Sequence, residues 1–272
     1  MTSPLAHRLS FAIAPPAADL DRTISVGWSI DAPPGSGSAF FELLPDASAN
    51  LVVRVTDSSC RMVLLGPATE KATIELAGGA QYFGLRFCAG GAPAWADASA
   101  RELVDGRAEL TSLRGESRDA LGERLRALPD LPARLRLVED LVRQAPPLVR
   151  DPRCRRAALL VEQSLGQVRI QEVADGIGLH VRSLERLFLD HLGLGPKRLA
   201  RIVRLRWLMA RLRLGGFESL AALACDCGYS DQSHMIRDFK ELIGRLPGDE
   251  EPSRPRRLGG PDETRVVHRY RP

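Results

Sequence analysis

Arg182, Glu185 and Arg186 stand at i, i+3 and i+4, a spacing that gathers them on one helix face. Gln232, Ser233, His234 and Arg237 form a second polar cluster fifty residues on. These side chains suit base edges better than bond-breaking. An arginine fork matches O6 and N7 of guanine and a glutamine can grip adenine at two points, each worth roughly 1–3 kcal/mol of discrimination. Glu185 either accepts from cytosine N4 or holds a neighbouring arginine in place. His234 either packs and caps a turn or reads a base. Between the clusters, residues 196–214 carry Lys197, Arg198, Arg201, Arg204, Arg206, Arg211 and Arg213 without one acidic residue. Lys197 and Arg201 are the expected phosphate contacts there, which position a reader without specifying sequence. The alternative for such a run is a solvated helix face.

Catalytic and metal chemistry finds little support. His7 is the only histidine in the first 150 residues, too few for a histidine-bound metal on a β-domain. No Gly-x-Ser-x-Gly elbow or phosphate loop is present. The five cysteines, Cys60, Cys88, Cys154, Cys225 and Cys227, have no framework spacing and fit a reducing cytoplasm. Cys225 and Cys227 would point to different faces of a helix. The expectation is a non-enzyme with no catalytic residue, metal or cofactor.

Each polar cluster needs a short scaffold, and the sequence supplies two of one design. In the first, Ile170, Val173, Ala174 and Ile177 line the inner face of a positioning helix. Gly178 supplies a turn that a residue with a Cβ resists, and Leu184, Leu187 and Phe188 bury the next helix. In the second, Leu220, Leu223 and Ala224 precede Gly228, and Met235, Phe239 and Leu242 follow. Ser230 is the expected N-cap, with Asp231 near the positive helix start. The linking helix opens at Pro196, is striped by Leu199, Ile202, Val203, Leu205, Leu208, Met209 and Leu212, and stops at Gly215-Gly216. Some 18 residues give it about 27 Å, short of the roughly 34 Å between successive major grooves on one DNA face. Either the DNA bends or one unit alone inserts fully.

The 272 residues allow two domains, and the net charge of +4 is unevenly spread. Residues 1 to about 110 are acid-rich, so only the C-terminal part is expected to meet a polyanion. Strands are predicted over 50–55, 62–65, 72–76 and 82–87, where Phe83, Leu85 and Phe87 share a face. From Ser117 helical periodicity takes over, with Leu121, Leu125 and Leu128, then Leu135, Leu137, Val138, Leu141 and Val142. This stretch either dimerises or packs on its own β-domain. No apolar run approaches the roughly 20 residues of a membrane span. Ser10 and Pro15-Pro16 argue against reading Leu9 to Ala18 as a signal peptide.

The stretch Cys227-Gly228-Tyr229-Ser230-Asp231-Gln232-Ser233-His234 to Phe239-Lys240 closely resembles the C-terminal domain of the AraC/XylS-type bacterial transcription regulators. Gly193, Pro196-Lys197, Arg204-Leu205 and Ser219-Leu220-Ala221 also match. The resemblance covers roughly residues 155–248. It implies a seven-helix domain that binds two adjacent major grooves and controls transcription through contact with RNA polymerase. By position, Arg182, Glu185 and Arg186 fall on the first recognition helix, and Gln232, Ser233 and Arg237 on the second. Departures are His180 where a serine-like cap is usual, Leu199 and Met235 at often aromatic positions, and Glu250 in place of an aromatic. A shorter match, Leu43-Leu44-Pro45-Asp46 and Gly84-Leu85-Arg86-Phe87, is similar to the β-rich sensor domain of some members, although Ala47-Ser48 follow where glycine is typical.

The expected fold is therefore two-domain α+β: a mostly β, barrel- or sandwich-like N-terminal domain and an all-α C-terminal domain with two helix-turn-helix units. The divisions are 1–115 (sensor-like), 116–150 (helical linker or dimerisation element), 151–248 (DNA-binding) and 249–272 (disordered tail). The expected function is a cytoplasmic, sequence-specific transcription regulator, an activator. Its partners would be double-stranded DNA, RNA polymerase by resemblance, a small-molecule effector and a second copy in a homodimer, with no membrane. The alternatives are an architectural DNA binder without sequence readout and a DNA-modifying enzyme with a reader domain.

Overall fold

A computed structural model describes residues 10–32, 38–95, 98–113 and 115–249. Of the expected tail, 249–272, only Asp249 is among the described residues, at the end of a 3-10 turn.

The N-terminal part is built on β1 (Ser10–Ala14), β2 (Ile24–Asp31), β3 (Ser38–Leu43), β4 (Asn50–Val55), β5 (Cys60–Leu65), β6 (Ala72–Ala77) and β7 (Gln81–Phe87). After the short helix α1 (Ala100–Leu103) come β8 (Arg107–Glu109), β9 (Ser112–Leu113) and β10 (Glu116–Ser117). Six strands form one antiparallel sheet in the order β1-β2-β7-β4-β5-β8, and β3 pairs separately with β6. Among the described residues β1 and β8 each pair on one side only and the sheet is open, so of the two expected shapes the sandwich-like one is realised and the closed barrel is not.

Alternation along the strands explains the layers. Leu51, Val53 and Val55 of β4 and Phe83, Leu85 and Phe87 of β7 face one way into the main core. The opposite face carries Trp28, Ile30, Val52 and Tyr82, and the β3-β6 ribbon covers it with Phe41, Ile74 and Leu76. The sequence marked β4 to β7 but not β2, whose pattern is broken by a bulge between Ile24 and Val26. Gly27 is a second reason: a Cβ there would stand 2.9 Å from Leu135 Cδ1, so the strand leaves a gap where a helix docks.

That helix is α3 (Leu131–Gln144), preceded by α2 (Arg118–Ala127). Leu121 and Leu125, then Leu135, Val138, Leu141 and Val142, all enter the main β core. The apolar stripes of residues 116–150 are thus spent on their own β-domain, and Glu139 adds a hydrogen bond from the Ala17 amide at 3.1 Å.

The C-terminal part contains α4 (Pro152–Gln163), α5 (Ile170–Gly176), α6 (Val181–Leu192), α7 (Pro196–Leu214), α8 (Leu220–Asp226) and α9 (Gln232–Ile243). Among the described residues these six helices are followed by a single 3-10 turn, Pro247–Asp249, where the resemblance implied a seventh helix. Two cores share α7. Leu199, Ala200 and Ile202 belong to the first, with Val173, Ala174, Leu184 and Phe188. Leu205, Leu208 and Met209 belong to the second, with Leu223, Ala224, Met235, Phe239 and Leu242. Ala47 and Ala89 of the β-domain also join the first core, so the two halves share a packed boundary.

Candidate nucleic-acid interface

Each pair of helices is bent by a glycine in the left-handed region. Gly178 follows α5 with φ +70°, and Gly228 follows α8 with φ +75°, a conformation that costs a residue with a Cβ roughly 1–2 kcal/mol. The second turn is tighter, because a Cβ on Gly228 would meet Gln167 Cγ at 2.7 Å, whereas Gly178 faces open space. Gln167 in turn donates to the Asp226 carbonyl at 3.2 Å, tying the first unit to the turn of the second.

Helix starts differ from the sequence expectation in one respect. The N-cap of α9 is Asp231, not Ser230: its carboxylate accepts from the His234 amide at 2.7 Å. Asp wins because its longer reach and charge serve both the open amide and the positive helix end. That hydrogen bond and a second from the Ser230 hydroxyl hold the Asp231 carboxyl below its ordinary pKa. Ser230 instead bonds His234 Nδ1 at 3.1 Å, and the imidazole stands edge-on to Tyr229 with ring centres 5.3 Å apart. His234 thus contacts both Ser230 and Tyr229 within the turn. His180 begins α6 with no side-chain cap, as its departure from a serine-like residue implied.

On α6, Arg182, Ser183 and Arg186 are exposed and Glu185 is half-buried. Arg186 has 87% of its side chain exposed and makes a long 3.8 Å approach to Asp190. On α9, Ser233 and Arg237 are exposed and Gln232 is half-buried in the first turn. Arg237 leans back on the Ser233 carbonyl at 3.3 Å. Ser183 and Lys240 are further exposed polar residues on these helices. Their helical spacing from Arg186 and Arg237, i−3 and i+3, was the available signal in the sequence.

The basic helix α7 behaves differently from a row of phosphate arms. Arg201 is held by Asp238 at 2.6 Å and Glu241 at 2.8 Å, both on α9. Burial works against its charge, but the bonds to Glu241 and Asp238 prevail and raise its pKa. Arg198 reaches Glu241 at 3.5 Å and the Thr69 carbonyl at 3.0 Å. Arg204 donates to the Gly166 carbonyl at 2.7 Å and lies 5.2 Å above the Tyr229 ring. Arg206 pairs with Asp46, and Arg211 with Asp226 at 3.3 Å. Lys197, by contrast, is exposed at the helix start. The guanidiniums of α7 largely brace the fold, a use invisible in sequence because their acidic partners lie up to 160 residues away.

Burial pushes the Cys154 and Cys227 thiols up to about 12, far from reactive thiolates. Cys225 is exposed and Cys227 buried, so they do face apart. No group of three or more potential metal ligands occurs among the described residues, and no described helix is long and apolar enough to cross a membrane.

Residues 173–250 match the family model of a helix-turn-helix domain, and residues 13–109 that of a domain of unknown function (DUF6597). The chain is similar to the HTH-type transcriptional activator RhaS of Pectobacterium carotovorum subsp. carotovorum, 34% identical over 82 residues, which is 30% of this chain and 29% of that protein. It is also similar to the HTH-type transcriptional regulator GbdR of Pseudomonas aeruginosa, 29% identical over 115 residues, 41% of this chain and 30% of that one. The chain thus spans about three tenths of the length of these relatives. Among solved structures, an AraC-type regulator from Chromobacterium violaceum aligns at 24% identity and a TM-score of 0.35, covering 38% of this chain and 95% of that one. ToxT from Vibrio cholerae aligns at 9% identity and a TM-score of 0.43 over 89% and 97%. Two glycine-turned units on one shared helix, together with the match over residues 173–250, show that the chain carries a helix-turn-helix domain.

Proposed function

We propose that the protein is a sequence-specific DNA-binding transcription regulator without enzymatic activity. The observation that carries this reading is the pair of polar helix faces, α6 with exposed Arg182 and Arg186 and α9 with half-buried Gln232 and exposed Ser233 and Arg237, each set by a glycine turn after a helix buried along its inner face. Arg186 and Arg182 read guanine edges, Glu185 accepts from cytosine or steadies an arginine, and Gln232 meets adenine. Lys197 holds a phosphate near the start of α7. His234 shapes the turn from which Gln232 projects. Arg201 acts one step back, fixing α9 on α7, since a phosphate contact would require breaking its bonds to Asp238 and Glu241.

The name of RhaS, a transcriptional activator, supports activation, the resemblance to AraC/XylS-type regulators supports contact with RNA polymerase in the cytoplasm, and the β-domain is the part available to sense an effector or a second copy. An open cleft of about 410 Å³ touches both halves, with Ser99, Glu102, Arg150, Asp190 and His191 among its lining residues. An effector lodged there would meet the end of the first reading helix directly.

Selection of bound duplexes from a randomised pool at physiological salt tests the reading. A regulator enriches a defined motif by roughly 10³ or more over random DNA. A folded protein that enriches no motif would be an architectural binder, and the proposal would fall. In the same assay Arg186→Ala relaxes preference at one base position and leaves the others intact.

A further inference from the structure

A single short loop of the β-domain touches both reading units and the helix between them. Leu44 packs against the second core and Ala47 belongs to the first. Asp46, between them, forms an ion pair with Arg206 of α7 at 3.3 Å. Along α7, Ile202 is a residue of the first core and Leu205 of the second, so Arg206 lies just past the seam between the units.

Asp46 is itself rigidly placed. The Arg86 fork grips both carboxylate oxygens at 2.7 Å, the Ser48 amide donates at 3.0 Å, and the Asp46 backbone bridges to Ala68. Burial alone would favour its neutral form, but Arg206 and Arg86 overrule it and hold the carboxyl well below the usual range. Glu42, at the end of β3, pairs with Arg245 beyond α9 at 3.2 Å. On the other side, Arg101 of α1 holds Asp190 of α6 at 2.8 Å. The β-domain therefore grips the first unit, the second unit and the helix that spaces them.

We propose that this loop is a splint: by holding α7 at Arg206 while touching both cores, it fixes the relative placement of the two reading helices. Asp46 and Arg206 are then positioning residues for the spacing of the two DNA elements recognised, an inference that rests on the regulator reading above. The scale is sufficient. A hinge of roughly 10° at the seam moves the end of an α7 half by about 2–3 Å, and the reading helix beyond it further, against about 3.4 Å per base pair.

The test is motif selection from randomised DNA with the full chain. Wild type enriches a two-part motif at one separation. Arg206→Gln, which leaves the Asp46–Arg86 fork intact, enriches the same two parts but spreads them over separations one base pair longer and shorter. The share of the preferred separation falls by about fivefold. Arg206→Lys, which keeps the charge without the fork, recovers part of the single separation and serves as the variant should Arg206→Gln not fold. An unchanged separation in the folded variant overturns the splint alone, and the same result with weaker binding and a shallower salt slope would make Arg206 a phosphate contact instead. A wild type that enriches no two-part motif overturns the regulator reading and the splint with it.

Discussion

Arg201 and Asp238 form an ion pair at 2.6 Å between α7 and α9, with Asp238 only 6% exposed. The Tyr229 hydroxyl adds a hydrogen bond to the other carboxylate oxygen at 3.3 Å. The charge-rich helix α7 is thereby riveted to α9. Arg201→Ala strands a buried carboxylate, which costs about 2 kcal/mol after allowance for the arginine's partial exposure. Urea unfolding is expected to show this loss, while the slope of log K against log salt for DNA binding stays at its wild-type value. A slope reduced by about one would return Arg201 to the phosphate contacts.

Lys197 is the contrasting case. It is exposed at the first turn of α7, and Lys197→Ala should leave unfolding unchanged within ~0.5 kcal/mol. Binding is expected to weaken alike on all sequences, with the salt slope reduced by about one. A salt titration of binding on two unrelated duplexes checks both points.

The two turn glycines should not respond equally. Both have positive φ, so alanine strains each by roughly 1–2 kcal/mol. At Gly228 the new methyl also meets Gln167 at 2.7 Å and disturbs its bond to the Asp226 carbonyl. Gly228→Ala should therefore lower the melting temperature more than Gly178→Ala does. Equal losses would mean that Gln167 moves aside freely.

Glu162 of α4 is buried at the domain boundary, where its Oε1 accepts from the Ala89 amide at 3.1 Å. Burial pushes its pKa up, although Arg86 and the Ala89 amide work against the rise. The folded protein thus keeps the proton to higher pH than the unfolded chain, whose glutamate titrates near roughly 4.3. Stability from this group is intact below about pH 4 and falls as pH rises through the folded pKa. Glu162→Gln keeps an acceptor for Ala89 and removes the charge. The variant should melt above wild type at pH 8, with the difference closing as pH falls toward 4. A variant less stable than wild type at pH 8 would show that the ionised carboxylate is the stabilising form, held by the nearby arginines.

The sequence by itself determined what repeats locally. Helical stripes, turn glycines and period-two runs depend on residues a few positions apart, so both helix-turn-helix units, α7 and strands β4 to β7 were legible from Val173, Gly178, Leu199, Phe83 and their neighbours. The exposed starts of α6 and α9 followed from the same spacing. What only the tertiary structure decided was where charges and stripes found partners distant in the chain. The arginines of α7 read as a cationic strip until Asp238, Glu241 and Asp46 arrived beside them, and an ion pair formed across 160 residues leaves no local trace. The stripes of α2 and α3 read equally well as a dimer seam or a self-covering layer, because burial requires an apolar surface and does not specify whose. The gap at Gly27, which receives Leu135, is part of what made it their own sheet.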